Sequence, residues 1–462
     1  MSRKSLFFFA GAFLFLVSFQ SFAQSVLDAA DYRIKKYRSR KVVIRLTDDR
    51  GRPLPRFKAR ALMQRHQFLF GCNMFIFGQF GTPEQNERFQ ALFSGIFNYG
   101  TLPFYASAVR PNPGPLQKAQ WEKAVQWANE NQIALKGHPL IWHEPYGNPA
   151  WFPGAPEQIE PVIKEMVFET VSSFKGGIQY WDVLNEPTVA WRFKTPVAGW
   201  ENKIGPVNAA ESGLKWAKSA NPSAQFLVND YNLWPLSALG NILWHPENTA
   251  LLRKEPVKYY PVSYYLFIAR LMADHAAPDA IGLQSHMHRG DWPLDKVWRL
   301  CEKYSRLGLP LHFTEVTVLS GERRQKINTA SPEQNQPWPS TEQGEKEQAE
   351  YAEKFYKLLF SHPAVDAITW WDFSDRGAWL FAPAGLVRAD LEPKPAYLRL
   401  HHLIREEWWT DFKGETDSNG ELSFRGFCGE YKLEFQDGSA PARFAIDCKN
   451  KKAQKFEFRV KR

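Results

Sequence analysis

The chain has 462 residues, 44% of them hydrophobic and 23% charged, with a formal net charge of +9. That size allows one large domain plus a smaller one, and the composition is globular rather than disordered or fibrous. The 58 Lys and Arg residues are scattered along the chain; a nucleic-acid footprint needs a concentrated basic stripe, so no nucleic-acid partner is expected.

In chain order, residues 1–23 read as a signal peptide. Arg3 and Lys4 form a basic start, Leu6 to Phe19 is an apolar run too short to span a membrane comfortably, and Ser21-Phe22-Ala23 is a small-x-small cleavage pattern. Export follows, to the periplasm or the medium. No later stretch is apolar enough for a membrane span. Residues 24–66 hold alternating runs, "VVIRLTDD" and "FKARALMQ", around a Gly/Pro-rich "RGRPLP". The pattern predicts a hairpin.

Residues 67–408 change rhythm. Short apolar segments alternate with longer helical ones. The predicted strands are "FLFGCNMF", "IFNYGTLPF", "IALKGHPLIWH", "GIQYWDVLNEP", "AQFLVNDYN", "AIGLQSHMH", "LPLHFTEVTV" and "DAITWWDFS", and "LQKAQWEKAVQWANEN" and "EQAEYAEKFYKLLFSH" are among the intervening helices. Continuous apolar runs suit parallel strands covered on both faces. Eight strand-helix units predict an α/β fold, the (β/α)8 TIM barrel. Residues 409–462 return to short alternating strands, with an Asn-Gly turn in "TDSNGELSFRG". Two strand-rich fragments at opposite ends of a chain are each marginal alone, so they are expected to pair into one accessory β-sandwich.

The four cysteines form no Cys-x-x-Cys pair, which argues against a zinc or redox centre. Export permits a bridge between Cys428 and Cys448, both in the strand-rich tail. Cys72 and Cys301 read as buried free thiols.

Polar residues close most of the predicted barrel strands. Strand three ends in His138, Trp142 and His143, strand four in Asn185 and Glu186, and strand five in Asn229 and Asp230. Strand six ends in Gln284, His286 and His288, strand seven in Glu315, and strand eight in Trp371 and Asp372. In a barrel these ends share one rim, where the active site lies. A carboxylate closing an apolar strand is costly unless something uses it. Two glutamates beside Trp, Asn, Gln and His suit glycoside hydrolysis, in which one carboxyl holds a proton and the other stays ionised. The 18 Trp, 35 Phe and 16 Tyr also fit a protein that stacks on sugar rings. His286 and His288, two apart in the sequence, are expected to face apart and to share no metal. No metal and no cofactor is expected.

The series "GHPLIWH", "WDVLNEP", "LVNDYN", "IGLQSHMH", "HFTEVTV" and "TWWDFSDRGAW", followed by "EPKPAYLRLHHL", resembles glycoside hydrolase family 10, the retaining β-1,4-xylanases, over residues 67 to about 405. The resemblance implies a cofactor-free double displacement on a polysaccharide or oligosaccharide. Glu186 would be the acid/base and Glu315 the nucleophile. Asn185 would bind the sugar 2-hydroxyl, and His138 and Trp142 would line the cleavage subsite. Gln284 and His286 would flank the nucleophile, with His286 helping to keep Glu315 ionised, and Trp371 and Trp379 would wall the sugar. A monomer is expected.

Two departures stand out. Where the family carries a Glu-Asn pair and a Lys after strand two, this chain has Pro103, Phe104, Tyr105 and Ala106, with Tyr105 or Arg110 as candidate replacements. Missing hydrogen-bond partners change substrate discrimination strongly. Thr317 stands where the family has an Asp two residues after the nucleophile. The expected function is a retaining hydrolase of xylan or a related β-1,4-glycan. The alternatives are a hydrolase of a non-xylan β-glycan, or a catalytically weak carbohydrate-binding protein on the same scaffold.

Overall fold

A computed structural model describes residues 24–234 and 263–461, apart from 325, 329–333 and 335. The expected signal peptide, residues 1–23, lies outside them. The barrel strands are β3 (Leu69–Asn73), β4 (Tyr99–Pro103), β5 (Ala134–His138), β7 (Tyr180–Asn185), β8 (Gln225–Asp230), β9 (Ala280–Leu283), β10 (Leu311–Val316) and β11 (Val365–Trp370), with β6 (Ile141–Trp142) a short extension beside β7. Each of the eight pairs in parallel with the next, and β11 returns to β3, which closes the (β/α)8 barrel. All residues of β3, β5, β9 and β10 are buried, which accounts for the unbroken apolar runs.

Local chemistry sets the helix starts. Helix Pro83–Ile96 begins at Thr82, whose hydroxyl accepts from Gln85 N, and buries Phe89, Phe93 and Ile96 on one face. Helix Glu342–Ser361 begins at Thr341 in the same way. One glycine is forced by packing: a Cβ at Gly137 would lie 2.2 Å from the Trp181 ring, so β5 and β7 meet only because residue 137 has no side chain.

The accessory strands are β1 (Ser39–Thr47), β2 (Lys58–His66), β12 (Asp411–Glu415), β13 (Glu421–Phe427), β14 (Gly429–Phe435), β15 (Ala442–Ile446) and β16 (Gln454–Arg459). They form two sheets, ordered β13-β1-β16 and β12-β2-β14-β15. Both sheets mix strands from the two chain ends, and their inner faces bury Val42, Ile44, Leu46, Met63, Leu433 and Ile446. The expected hairpin over 33–66 is corrected. Helix Ala30–Arg38 takes its first part, and β1 and β2 lie in different sheets. Each N-terminal strand finds more partners among the C-terminal strands than the other could offer.

The sandwich sits at the strand-start end of the barrel. Arg38 donates to the carbonyls of Phe360 at 2.7 Å, His362 at 2.6 Å and Val365 at 2.5 Å, just where β11 begins. Phe427 faces Phe360 there, 6.3 Å between ring centres. The rim of strand ends is therefore left clear on the opposite side.

Cys428 and Cys448 are bonded, while Cys72 and Cys301 are buried thiols. The bridge closes a 20-residue separation, worth about 3 kcal/mol by the chain-entropy argument. Reduction, or Cys428→Ser with Cys448→Ser, is expected to lower sandwich stability by about that amount. Denaturant unfolding with and without reductant measures it, and unchanged midpoints would contradict it.

Candidate active site

β7 ends by breaking its own alternation. Consecutive strand residues normally point to opposite faces. Glu186 instead takes φ 59°, ψ 39°, the left-handed region, and leads into the turn Pro187–Arg192. For a non-glycine residue this conformation costs about 1–3 kcal/mol and persists only where the surroundings impose it. Here Glu186 N donates to the Asn229 carbonyl at 2.7 Å, and Asp230 accepts from the Thr188 N–H at 3.0 Å and hydroxyl at 2.8 Å. The result is that Asn185 and Glu186 both face the barrel mouth. Gln284 Nε2 donates to Asn185 Oδ1 at 3.2 Å and to Glu186 Oε1 at 3.1 Å.

From there a hydrogen-bonded chain runs to the second glutamate. Asn229 Nδ2 donates to Asn185 Oδ1 at 2.9 Å and to Glu315 Oε1 at 2.6 Å, and the Thr314 hydroxyl fixes Asn229 Oδ1 at 2.7 Å. His286 Nε2 bonds Glu315 Oε2 at 2.8 Å. The other ring nitrogen of His286 meets the Thr317 hydroxyl at 2.9 Å, so Thr317 orients this ring. Trp142 Nε1 donates to Glu186 Oε2 at 3.2 Å. Under the mouth, His138 Nδ1 lies 2.8 Å from Asp182 Oδ2, and Lys136 Nζ lies 2.6 Å from the same oxygen.

The two glutamates are electrostatically opposite. Burial pushes Glu186 up to about 8; the nearby Glu144 and Glu315 charges add to this, against His143. Burial also works to raise Glu315, but the His286 hydrogen bond and the fields of His138, His286 and Lys136 outweigh it and hold Glu315 below its ordinary value. One carboxyl is protonated and the other ionised near neutral pH, the split that acid/base chemistry on a glycosidic bond requires.

The nine residues expected at the site come together here, His138 beneath the mouth and the others around it. Trp371 is buried, 5.4 Å from His138 and 5.7 Å from His286 between ring centres. Trp379 is 39% exposed and stands 4.6 Å from His286. His288 is corrected. Its ring does not point away from His286 but lies 5.5 Å from it and 5.1 Å from Trp379, because residues two apart on extended backbone share a face. Among the described residues no group of three or more His, Cys, Asp or Glu could hold a metal. Arg110, a candidate for the missing sugar-binding set, turns away to Glu165 and Glu169 on helix Pro156–Ser173; Tyr105 does reach the mouth, 5.4 Å from Trp142. Sequence reasoning passed over Asn229 and Asp182 as positioning residues. Asn229 stood on the expected rim without a role, and Asp182 is a lone polar group inside an apolar strand, the signal that could have found it.

Residues 104–240 and 255–402 match Glycosyl hydrolase family 10. The chain belongs to this family. It is a glycoside hydrolase, and the match begins just after β4 and includes the barrel strands β5 to β11. Endo-1,4-beta-xylanase B of Thermotoga neapolitana is 26% identical over 299 residues, 62% of this chain and 74% of that protein. Anti-sigma-I factor RsgI6 of Acetivibrio thermocellus is 24% identical over 414 residues, 88% of this chain but only 46% of that protein. Among solved structures, xylanase 10B from Thermotoga petrophila RKU-1 in complex with xylobiose shares the family 10 fold at a TM-score of 0.57 and 24% identity, over 74% of this chain and 95% of that one. No helix among the described residues is long and apolar enough to cross a membrane.

Proposed function

We propose that the protein hydrolyses a β-1,4-linked polysaccharide, xylan or a related β-glycan, with retention of configuration, using Glu315 as nucleophile and Glu186 as acid/base. The observation that carries the reading is the pair of buried glutamates tied together at the barrel mouth through Gln284, Asn185 and Asn229, with His286 on Glu315; burial raises Glu186 while the His286 bond and nearby cationic groups lower Glu315. Relatives that bear the name xylanase support the substrate class.

Glu315 attacks the anomeric carbon while Glu186 passes its proton to the departing glycosidic oxygen, leaving a glycosyl ester on Glu315. Glu186, now ionised, takes a proton from water, and that water attacks from the face the leaving group vacated, opposite Glu315, and releases it. Asn185, its Oδ1 already occupied by Gln284 and Asn229, offers its N–H groups to the sugar 2-hydroxyl. His286 keeps Glu315 oriented and charged. Export to the periplasm or medium completes the reading; the leader-like residues 1–23 and the Cys428–Cys448 bridge support it.

Hydrolysis of an aryl β-xyloside or β-glucoside followed by NMR is expected to show the β-hemiacetal first, with the α-anomer appearing only by mutarotation. An α-anomer formed first would replace double displacement by a single inversion. Failure to release sugar from any of a panel of β-glycans would remove the hydrolase reading.

A further inference from the structure

One end of the pocket is closed by aromatic rings. After β4 the chain enters helix Ala106–Val109 with Tyr105 at the N-cap position. Tyr105 is 8% exposed. Between ring centres it lies 5.4 Å from Trp142, 5.9 Å from His138, 6.1 Å from Phe75 and 5.1 Å from Tyr146. Phe75 stands edge-on to Trp371 at 5.2 Å and covers His138 at 6.5 Å. These rings form an arc over the ends of barrel strands three, two, one and eight. Burial, and then the fields of Glu315, Tyr146 and Glu186, keep the Tyr105 phenol protonated.

Polar groups along this edge are committed elsewhere. Arg110 is paired with Glu165 and Glu169. The Ser107 hydroxyl donates to the Tyr146 carbonyl at 2.6 Å. Phe104 is sunk in the core against Trp121, Phe174 and Trp181. The strand-five side differs. Tyr231, whose phenol feels Glu186, is 40% exposed and accepts from Arg192 at 3.3 Å.

The chemistry says which end is which. A proton donor at Glu186 places the leaving group beside Glu186 and strand five. The sugar that bonds to Glu315 then lies under Trp371, Phe75 and Tyr105. On the basis of the hydrolase reading above, we propose that Phe75 and Tyr105 wall off the glycone side, so that the site seats one sugar there and works on non-reducing chain ends. The Tyr105 hydroxyl offers that terminal sugar a single hydrogen bond, while an aromatic wall replaces the bonds that would hold a second one.

The test compares kcat/KM on aryl β-xyloside and aryl β-xylobioside, with the glucose pair alongside, and follows the first products from a reduced hexasaccharide. A built second subsite with two or three hydrogen bonds raises kcat/KM by about 10- to 100-fold. The wild type is expected to gain nothing from the second sugar and to release monosaccharide first. Tyr105→Ala and Phe75→Ala are each expected to open the wall, so that exclusive release of monosaccharide is lost and larger fragments join it among the first products of the hexasaccharide. If Tyr105→Ala fails to fold, Phe75→Ala and the wild-type products still decide. A wild-type preference for the disaccharide glycoside of that size, or internal fragments appearing first, overturns the wall and leaves the hydrolase reading standing. Absence of release from every substrate overturns the hydrolase reading, and the wall falls with it.

Discussion

Glu315→Ala is expected to lower turnover of an aryl β-glycoside by about 10⁴-fold or more, the scale on which loss of a nucleophile is felt. Its carboxylate is buried, fixed by Asn229 at 2.6 Å and His286 at 2.8 Å, and held ionised, so water has no equivalent path to the anomeric carbon. Truncation leaves a space lined by those two side chains. Azide, a small anion, should enter it and attack the face that Glu315 used. A single displacement on a β-glycoside gives the α-glycosyl azide. Isolating that product checks both the residue and the face of attack. A β-azide, or activity that survives the substitution, would reassign the role. The melting profile should be retained, since removing a buried carboxylate also removes its desolvation cost.

Glu186→Ala should discriminate between leaving groups. With a poor leaving group the loss is expected to be about 10²–10⁴-fold, the usual worth of a positioned acid; with an activated phenol the first step should be nearly spared. The pH dependence carries the same signature. Only protonated Glu186 can act as the acid, and burial sets its ordinary value of 4.5 up to about 8. Wild-type kcat/KM should therefore fall as pH rises through about 8, and that limb should vanish in Glu186→Gln. Stability has a matching sign. A carboxyl whose folded value is raised contributes fully below its unfolded value, and that contribution is lost as pH rises through the folded one. The thermal advantage of Glu186→Gln over the wild type should thus grow between about pH 5 and 8. A pH-independent difference would show that Glu186 is ionised in the folded protein.

Much of the barrel is legible in the chain because its strands are covered on both faces and announce themselves as apolar runs. The site is legible at its strand ends for the converse reason: Glu186 and Glu315 sit where an apolar run stops at a charge. What the local pattern cannot carry is long-range pairing. β1 and β2 look like a hairpin by their spacing, yet each is drafted into a sheet with strands beyond residue 410. The left-handed backbone at Glu186 is hidden for a similar reason, since nothing in "LNEP" says that the carbonyl of Asn229 will pull the chain over. His288 lies beside His286 because residues two apart on extended backbone share a face. Arg110 misled because a free cation near a sugar site is attractive on paper, while Glu165 and Glu169 are nearer in space.

The sandwich has a kinetic consequence. β1 emerges early in synthesis, but its neighbours are residues 421–427 and 454–459. Until the ribosome has delivered those residues, Val42, Ile44 and Leu46 lack the apolar surface they pack on, and two strands with open edges wait unpaired. Non-local closure of this kind is slow and exposes sticky intermediates. Residues 411–459 act as a lock turned only once they have emerged, and a nascent chain stalled short of them is the species most prone to self-association.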